Sequence, residues 1–279
     1  MPELPDLEYI VEILQRELEM SEAAALEIYN PIILRILTEN PIEQLLPHKQ
    51  LLEIRRHGPF VVFAFTNDFW LVVHPMLAGR FRLENATARK LAADCVRLDF
   101  ANGRSLFYHD SKQMGKIYFL HKNDAGTIPR FSNQGIDVLS PHFTEHYFLT
   151  AIERSRKQVR VFLMEQETLS AIGNAYADEI LFAAKIHPKT FCYQLTDAQK
   201  SRLFQAVNEV IQWGIEQVES AARPVHEKVR DHMKIRNRQG QPCPQCGTKV
   251  RRAGVRGFDS FFCPKCQPPA REQFISWIQ

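Results

Sequence analysis

Four cysteines near the end of the chain restrict its fold more than any other feature. They read Cys243-x2-Cys246-x16-Cys263-x2-Cys266. Two close thiol pairs at that separation match a tetrahedral four-sulfur zinc site. All four positions are filled, so the expected metal is one structural Zn(2+) per chain, with no position left for a substrate. Disulfides are the alternative, and a reducing compartment disfavours them. Val250 to Phe262, between the pairs, is expected to supply the two strands of a zinc ribbon. The remaining Cys95 and Cys192 read as small buried residues.

The 279 residues allow two or three domains. A content of 45% hydrophobic and 24% charged residues is that of a soluble globular protein. No apolar run reaches the ~18 residues of a membrane span. The acidic start lacks the basic flank of a secretory signal. A cytoplasmic protein with no membrane partner is therefore expected. The net charge of +3 says little, but its distribution says more. Ten Lys or Arg fall between Arg223 and Arg256, opposed only by Glu227 and Asp231. Such a cluster is the footprint of a phosphate-backbone binder. A solvated basic surface is the plainer account.

The chain opens Met1-Pro2-Glu3-Leu4-Pro5. Removal of Met1 would turn the Pro2 nitrogen into a free secondary amine. An α-amino group titrates near ~7.7–8.0, so a usable fraction is unprotonated at neutral pH. Such an amine can attack a carbonyl-like or acetal carbon and form a Schiff-base-type intermediate. Glu3 stands beside it as a proton carrier. A small second residue that only permits Met1 removal is the bland alternative.

Leu7, Ile10, Val11, Leu14 and Leu18 predict a helix over residues 6–18, with Asp6 as N-cap after Pro5. Residues 26–110 read as short strands and turns, including an Asn67-Asp68 hairpin and an Asn102-Gly103 turn, which favours a β-sandwich or barrel. Asn123 to Asn133 is rich in turn residues and reads as a linker. Thr144 to Glu219 is helical in pattern. Within it, Ile172-Gly173-Asn174-Ala175-Tyr176-Ala177-Asp178-Glu179-Ile180-Leu181-Phe182 predicts a tight turn at Gly173-Asn174 followed by a helix. Asp178 and Glu179 are expected in its first turn, where acids suit the dipole. The helix start would offer N–H groups to a phosphate. A plain helix-packing unit is the alternative.

The Pro2-Glu3 start, the Ile172 to Phe182 run and the four-cysteine ribbon behind Arg238-x-Gly240-x-Pro242-Cys243 occur in one order. Together they resemble the formamidopyrimidine-DNA glycosylase / endonuclease VIII family over nearly the whole chain. The resemblance implies an α+β multidomain fold. It has an N-terminal β-sandwich with an N-terminal helix (1–125), a helix–two-turn–helix domain (140–225) and a C-terminal zinc ribbon with a tail (233–279). It also implies a monomer that holds damaged double-stranded DNA in a cleft between its lobes. Such a protein excises an oxidised base and cuts the strand at the abasic site. Pro2 is then the nucleophile at the anomeric carbon and Glu3 the proton donor. Asp6 takes the place of the family's glutamate in the opening string, and Asn174 binds DNA phosphate. Arg160 stands for a DNA-contacting lysine. Leu77, Lys112 and Met114 fill the gap left by the flipped nucleotide.

The sequence also departs from that pattern. Pro59 stands where the family carries a lysine that assists catalysis. Phe258 stands where an arginine clamps phosphate, with Arg256 close by but pointing differently on a strand. The connection from Glu219 to Met233 leaves no room for the long lesion-covering loop of the purine-oxidation branch. Phe274, Trp277 and Ile278 of the tail are expected to pack on the protein. Two other readings stay open: a divergent member that binds damaged DNA without efficient excision, and a zinc-ribbon module for transcription or RNA handling.

Overall fold

The computed structural model describes residues 2–269. Met1 and the tail with Phe274, Trp277 and Ile278 lie outside the described residues. The chain divides into two compact units, residues 1–133 with 217–229, and residues 134–216 with 230–279.

The first unit begins with α1 (Leu4–Leu18), which starts earlier than the periodicity suggests. Glu3 is the N-cap, and Pro5 sits in the first turn, where a missing N–H costs nothing. Asp6 is therefore not the cap. It lies three residues on, and its carboxylate accepts the Glu3 backbone N–H at 2.8 Å. Nine strands follow, interrupted by the short α2 (Ile42–Leu45). They are β1 (Ala23–Ile28), β2 (Leu34–Ile36), β3 (Leu51–His57), β4 (Phe60–Phe65), β5 (Phe69–His74), β6 (Arg80–Asn85), β7 (Asp94–Phe100), β8 (Arg104–His109) and β9 (Lys116–His121).

These strands form a four-stranded sheet, β1-β7-β8-β6, and a five-stranded sheet, β2-β9-β5-β4-β3. Only the β2–β9 pairing is parallel. The expected hairpins are present. Asn67 and Asp68, both at φ 61°, turn β4 into β5, and Gly103 at φ 80° closes the turn from β7 to β8. Phe63 of β4 meets Phe81 of β6 from the other sheet, ring centroids 5.8 Å apart, in the apolar interior. Helix α1 is fastened to β3 by the Arg56–Glu8 ion pair and by Gln15, whose side-chain oxygen accepts the Ile54 N–H.

The stretch expected to be a linker, 123–133, is instead part of this core. Ala125, Ile128 and Phe131 are buried against Phe60, Val62, Val72 and Leu120. Phe131 also lies over the His57 ring at 4.2 Å. Its turn-forming composition is real, but three apolar side chains at intervals of three bind it down.

The second unit holds α3 (Glu145–Arg154), α4 (Val159–Leu163), α5 (Asn174–Ala183) and most of α6 (Asp197–Ala221), followed by the hairpin β10 (Arg251–Val255) and β11 (Phe258–Phe262). Thr144 caps α3 by accepting from Tyr147 N at 3.2 Å. Phe148, Phe143 and Phe162 make edge-on contacts in the helical core. A Cβ on Gly214 of α6 would lie 2.3 Å from the Tyr176 ring, so only glycine lets α6 approach α5 so closely. The ribbon core joins Phe182, Ile235, Val250 and Phe261 to Cys243 and Cys263. Among the described residues, no helix is long and apolar enough to cross a membrane.

Candidate active site, nucleic-acid interface and metal centre

Pro2 is buried at the head of α1, and the Glu3–Asp6 hydrogen bond fixes the turn that carries it. Pro2 and Asp6 line a small pocket with Arg80, Val225, Glu227 and Lys228. Tyr9 ties the 217–229 segment to α1, its hydroxyl donating to the Arg223 carbonyl at 2.8 Å. The sequence did not single out Arg80, which fell within residues 26–110, read only as short strands and turns. Glu227 and Lys228 counted only as members of a charge run. Pro59 is buried in the β3–β4 turn, beside Gly58 at φ 55°.

The three expected gap-filling residues lie on two turns that the topology makes neighbours. One turn, 75–79, leads from β5 to β6, and the other, 110–115, leads from β8 back to β9. Each therefore passes between the two sheets. Their feet are adjacent, because His74 pairs with Lys116 and Arg80 pairs with His109. Leu77 is 60% exposed and Met114 39%, unusual for apolar side chains this large, and Lys112 is exposed as well. The residue that ends β5 and the residue that opens the second turn arrange the backbone. His74 Nδ1 accepts from Met76 N at 3.1 Å. Asp110, buried, accepts from Lys112 N, Gln113 N and Gly115 N at 3.0, 3.1 and 2.7 Å. Burial lowers the His74 pKa to about 4, so at neutral pH its ring is uncharged and free to accept.

In the second unit, Arg160 does not present a cation to solvent as expected of a direct DNA contact. It is 1% exposed. Its Nε donates to Asp178 at 2.9 Å, and its Nη2 donates to Asn174 Oδ1 at 2.8 Å and to the Asp259 carbonyl at 3.0 Å. Asn174 is the first residue of α5 and half-buried, with Gly173 as N-cap. Its oxygen is taken by Arg160, which turns its NH2 end away as a donor beside the helix N-terminus.

Asp178 and Glu179 lie in the second turn of α5 rather than the first, and are 0% and 2% exposed. They serve the ribbon instead of the dipole. Asp178 accepts from Arg160, Arg236, Ser260 and Phe261 N. Glu179 accepts the backbone N–H groups of Lys234, Ile235 and Arg236 at 3.0, 2.9 and 2.9 Å. Burial pushes its carboxyl pKa up, and those three donors pull it back. The signal for this pair was present in the sequence: two adjacent acids inside an otherwise apolar helix must be buried with partners.

Arg256 lies not on a strand but in the two-residue turn joining β10 and β11. It is at φ 47° and is followed by Gly257 at φ 81°. Positive φ at both positions suits the right-handed twist of a tight hairpin. Arg256 is exposed at this tip, and the neighbouring Phe258 is 54% exposed.

The four ribbon cysteines form no disulfide, and their sulfurs all lie within 4.8 Å of one another. Cys243 and Cys266 are 3.9 Å apart, and Cys246 and Cys263 3.4 Å. Four sulfurs at the usual Zn–S length would be about 3.8 Å apart at the corners of a tetrahedron. The donor set fits zinc, and these thiolates hold one structural zinc ion. When bound, it closes the ribbon. Cys95 and Cys192 are buried, and burial raises both thiol pKa values, as inert packing residues require.

Comparison with known proteins agrees with this layout. The formamidopyrimidine-DNA glycosylase N-terminal domain matches residues 1–117, and the formamidopyrimidine-DNA glycosylase H2TH domain matches residues 134–224. The zinc finger found in FPG and IleRS matches residues 240–269. The formamidopyrimidine-DNA glycosylase of Pelotomaculum thermopropionicum is 26% identical over 96% of this chain and 99% of its own. That of Thermus thermophilus is 30% identical over 78% of this chain and 83% of its own. Among solved structures, the Lactococcus lactis Fpg in complex with abasic-site DNA has a TM-score of 0.86 at 25% identity, covering 95% of this chain and 99% of that one. The Thermus thermophilus Fpg has a TM-score of 0.84 at 28% identity, covering 96% of this chain and 99% of that one. With its β-sandwich, helical domain and four-cysteine ribbon all matched in order, the chain belongs to the formamidopyrimidine-DNA glycosylase family.

Proposed function

We propose that this protein excises damaged bases from double-stranded DNA and cuts the strand at the resulting abasic site, using Pro2 as nucleophile. The observation that carries the reading is the seating of Pro2. It is held by the Glu3–Asp6 turn in a pocket that also contains Arg80 and Lys228. A chain end makes a usable catalytic group only when anchored in this way.

Once Met1 is removed, the Pro2 nitrogen attacks C1′ of the extruded deoxyribose and the bond from C1′ to the base breaks. Glu3 protonates the ring oxygen as the sugar opens, leaving an iminium between Pro2 and C1′. Loss of a C2′ proton then expels the 3′ phosphate, and water releases Pro2. Asp6 holds the Glu3 backbone. Asn174 and the α5 N-terminus bind a backbone phosphate, oriented by Arg160 from behind. Leu77, Lys112 and Met114 occupy the vacated stack, and Arg256 adds charge from the ribbon tip. We assign the protein to the cytoplasm as a monomer.

Borohydride reduction tests this directly. It should trap a covalent adduct between Pro2 and an abasic-site or oxidised-base duplex. Glu3→Gln, or an extension that blocks the Pro2 nitrogen, should abolish the adduct. The burial of Pro59 where the family carries lysine favours one other reading, a protein that binds lesions without excising bases. It would give salt-dependent binding with no adduct.

A further inference from the structure

The hydroxyl of Tyr108 occupies a place where two turns meet. An ideal Cβ on Gly79 would lie 2.0 Å from it, and one on Gly115 would lie 1.9 Å from it. Both distances are far inside contact, so each position must be glycine while the hydroxyl is there. Neither glycine is required by its backbone, since neither is among those with positive φ. The Tyr108 hydroxyl is the nearest obstacle at both; at Gly79 the Pro75 carbonyl would also lie 2.4 Å from the Cβ, and at Gly115 Asp110 Oδ2 would lie 2.9 Å from it. Tyr108 is buried and packs edge-on against Phe81 at 5.7 Å. Its hydroxyl reaches the Pro75 carbonyl at 3.5 Å, and the same carbonyl accepts from Gly79 N at 2.9 Å.

Gly79 closes the turn carrying Leu77, and Gly115 closes the turn carrying Lys112 and Met114. Each turn also holds a non-glycine residue in the left-handed region just before its apolar tip. These are Met76 at φ 51° before Leu77 and Gln113 at φ 54° before Met114. Such conformations persist only where the surroundings over-determine them.

We propose that Tyr108 is a positioning residue for nucleotide extrusion, its hydroxyl locking the Leu77 turn and the Lys112–Met114 turn into one rigid wedge. This inference rests on the function proposed above. Separating a base step costs a few kcal/mol, and a tip that yields under that load opens the stack less. Order established before binding also removes an entropic cost from the bound state. A hydroxyl that bonds the Pro75 carbonyl and is packed against Gly79 and Gly115 supplies that order by seating both turns on one atom.

The test uses Tyr108→Phe, which removes one oxygen and keeps the ring on Phe81, and Gly115→Ala, which drives a methyl into the hydroxyl. Each is paired with a thermal melt. One arm measures 2-aminopurine fluorescence opposite a tetrahydrofuran abasic analogue, which reports wedge insertion and cannot be cleaved. The other arm compares borohydride trapping on duplex and on single-stranded abasic DNA, which has no stack to open. Both variants should lose most of the fluorescence step and slow duplex trapping by about ten- to a hundredfold, as expected of a misplaced element. Single-strand trapping should stay at the wild-type rate. A full fluorescence step and an unchanged duplex rate in both variants would overturn the proposal, as would equal losses on duplex and single strand. If the wild type forms no adduct with either DNA, the catalytic reading fails, while the fluorescence arm still decides the wedge.

Discussion

Arg160 donates to the side-chain oxygen of Asn174 at 2.8 Å from a position with 1% exposure, so it supports that asparagine from behind rather than presenting a cation to solvent. The two residues should therefore respond differently to substitution. Asn174→Ala removes one of the acceptors of the buried Arg160 guanidinium but leaves Asp178 and the Asp259 carbonyl, so it should lower the melting temperature only modestly while weakening duplex binding by about tenfold, the loss of one charge-assisted phosphate contact. Arg160→Lys keeps the charge but loses the fork that reaches Asp178, Asn174 and the Asp259 carbonyl together. It should reduce both stability and binding. Thermal melts beside titrations of labelled duplex separate the cases, and equal melting losses in both variants would refute the distinction.

Asp178 should be among the most sensitive acidic positions. Removing it leaves the Arg160 guanidinium buried with one partner fewer and frees Arg236, Ser260 and the Phe261 N–H. Breaking one side of a buried, hydrogen-bonded ion pair typically costs about 3–5 kcal/mol. Asp178→Ala should therefore unfold or loosen the second unit at temperatures where the first remains folded. Hydrogen exchange can localise the effect, with increased exchange expected around Lys234–Arg236 and β11.

The contrast between Asp178 and Cys243 shows what the sequence could disclose. The cysteine spacing names its own geometry, because four thiolates around one ion allow few arrangements. The β-hairpins were equally legible, since Asn67-Asp68 and Asn102-Gly103 write their turns locally. Asp178 and Glu179 were misread because all their partners but Arg160, 18 residues before Asp178, lie 55 or more residues away in sequence. Position near a helix start pointed to the dipole, while the apolar residues around the two acids, which called for buried partners, could not say where those partners lay. The 123–133 stretch failed for a similar reason: turn residues say that a segment is not regular, not that it is unpacked. Pro2 and Glu3 were singled out by a terminal amine beside a carboxyl, and resemblance to a family gave them and Asn174 their expected roles, whereas Arg80 carried no local sign of the pocket it lines.

Zinc removal should act on the ribbon first. A hairpin of five residue pairs is too small to stand alone. Its core is the short apolar set built around Cys243 and Cys263. A strong chelator under mild denaturation should release one zinc per chain, measured with a colorimetric dye. It should also expose the 238–266 region to protease and abolish duplex binding. Cys263→Ser should purify with substoichiometric zinc and show the same protease pattern without chelator. Retention of full zinc by that variant would contradict four-sulfur coordination.

The acid limb of stability should carry the signature of His74 and His187. Burial lowers both to about 4, against about 6.5 in an unfolded chain. Between these values the unfolded state binds a proton that the folded state refuses. Stability therefore falls as pH drops from about 6.5, and the fall levels off below about 4, where the folded state is protonated too. One fully coupled histidine contributes a slope of at most about 1.4 kcal/mol per pH unit, and partial solvent access at His74 reduces it. His74 has a second consequence. Its protonated ring can no longer accept from Met76 N, so the turn carrying Leu77 loosens in the same window. His74→Asn retains a side-chain acceptor for that N–H, as in an Asx turn, and does not titrate. Melts from pH 4 to 7 should show a shallower acid slope for this variant. The 2-aminopurine signal on a tetrahydrofuran duplex should also persist at pH 5 better than in the wild type. Identical pH profiles for the two proteins would mean that His74 contributes to neither.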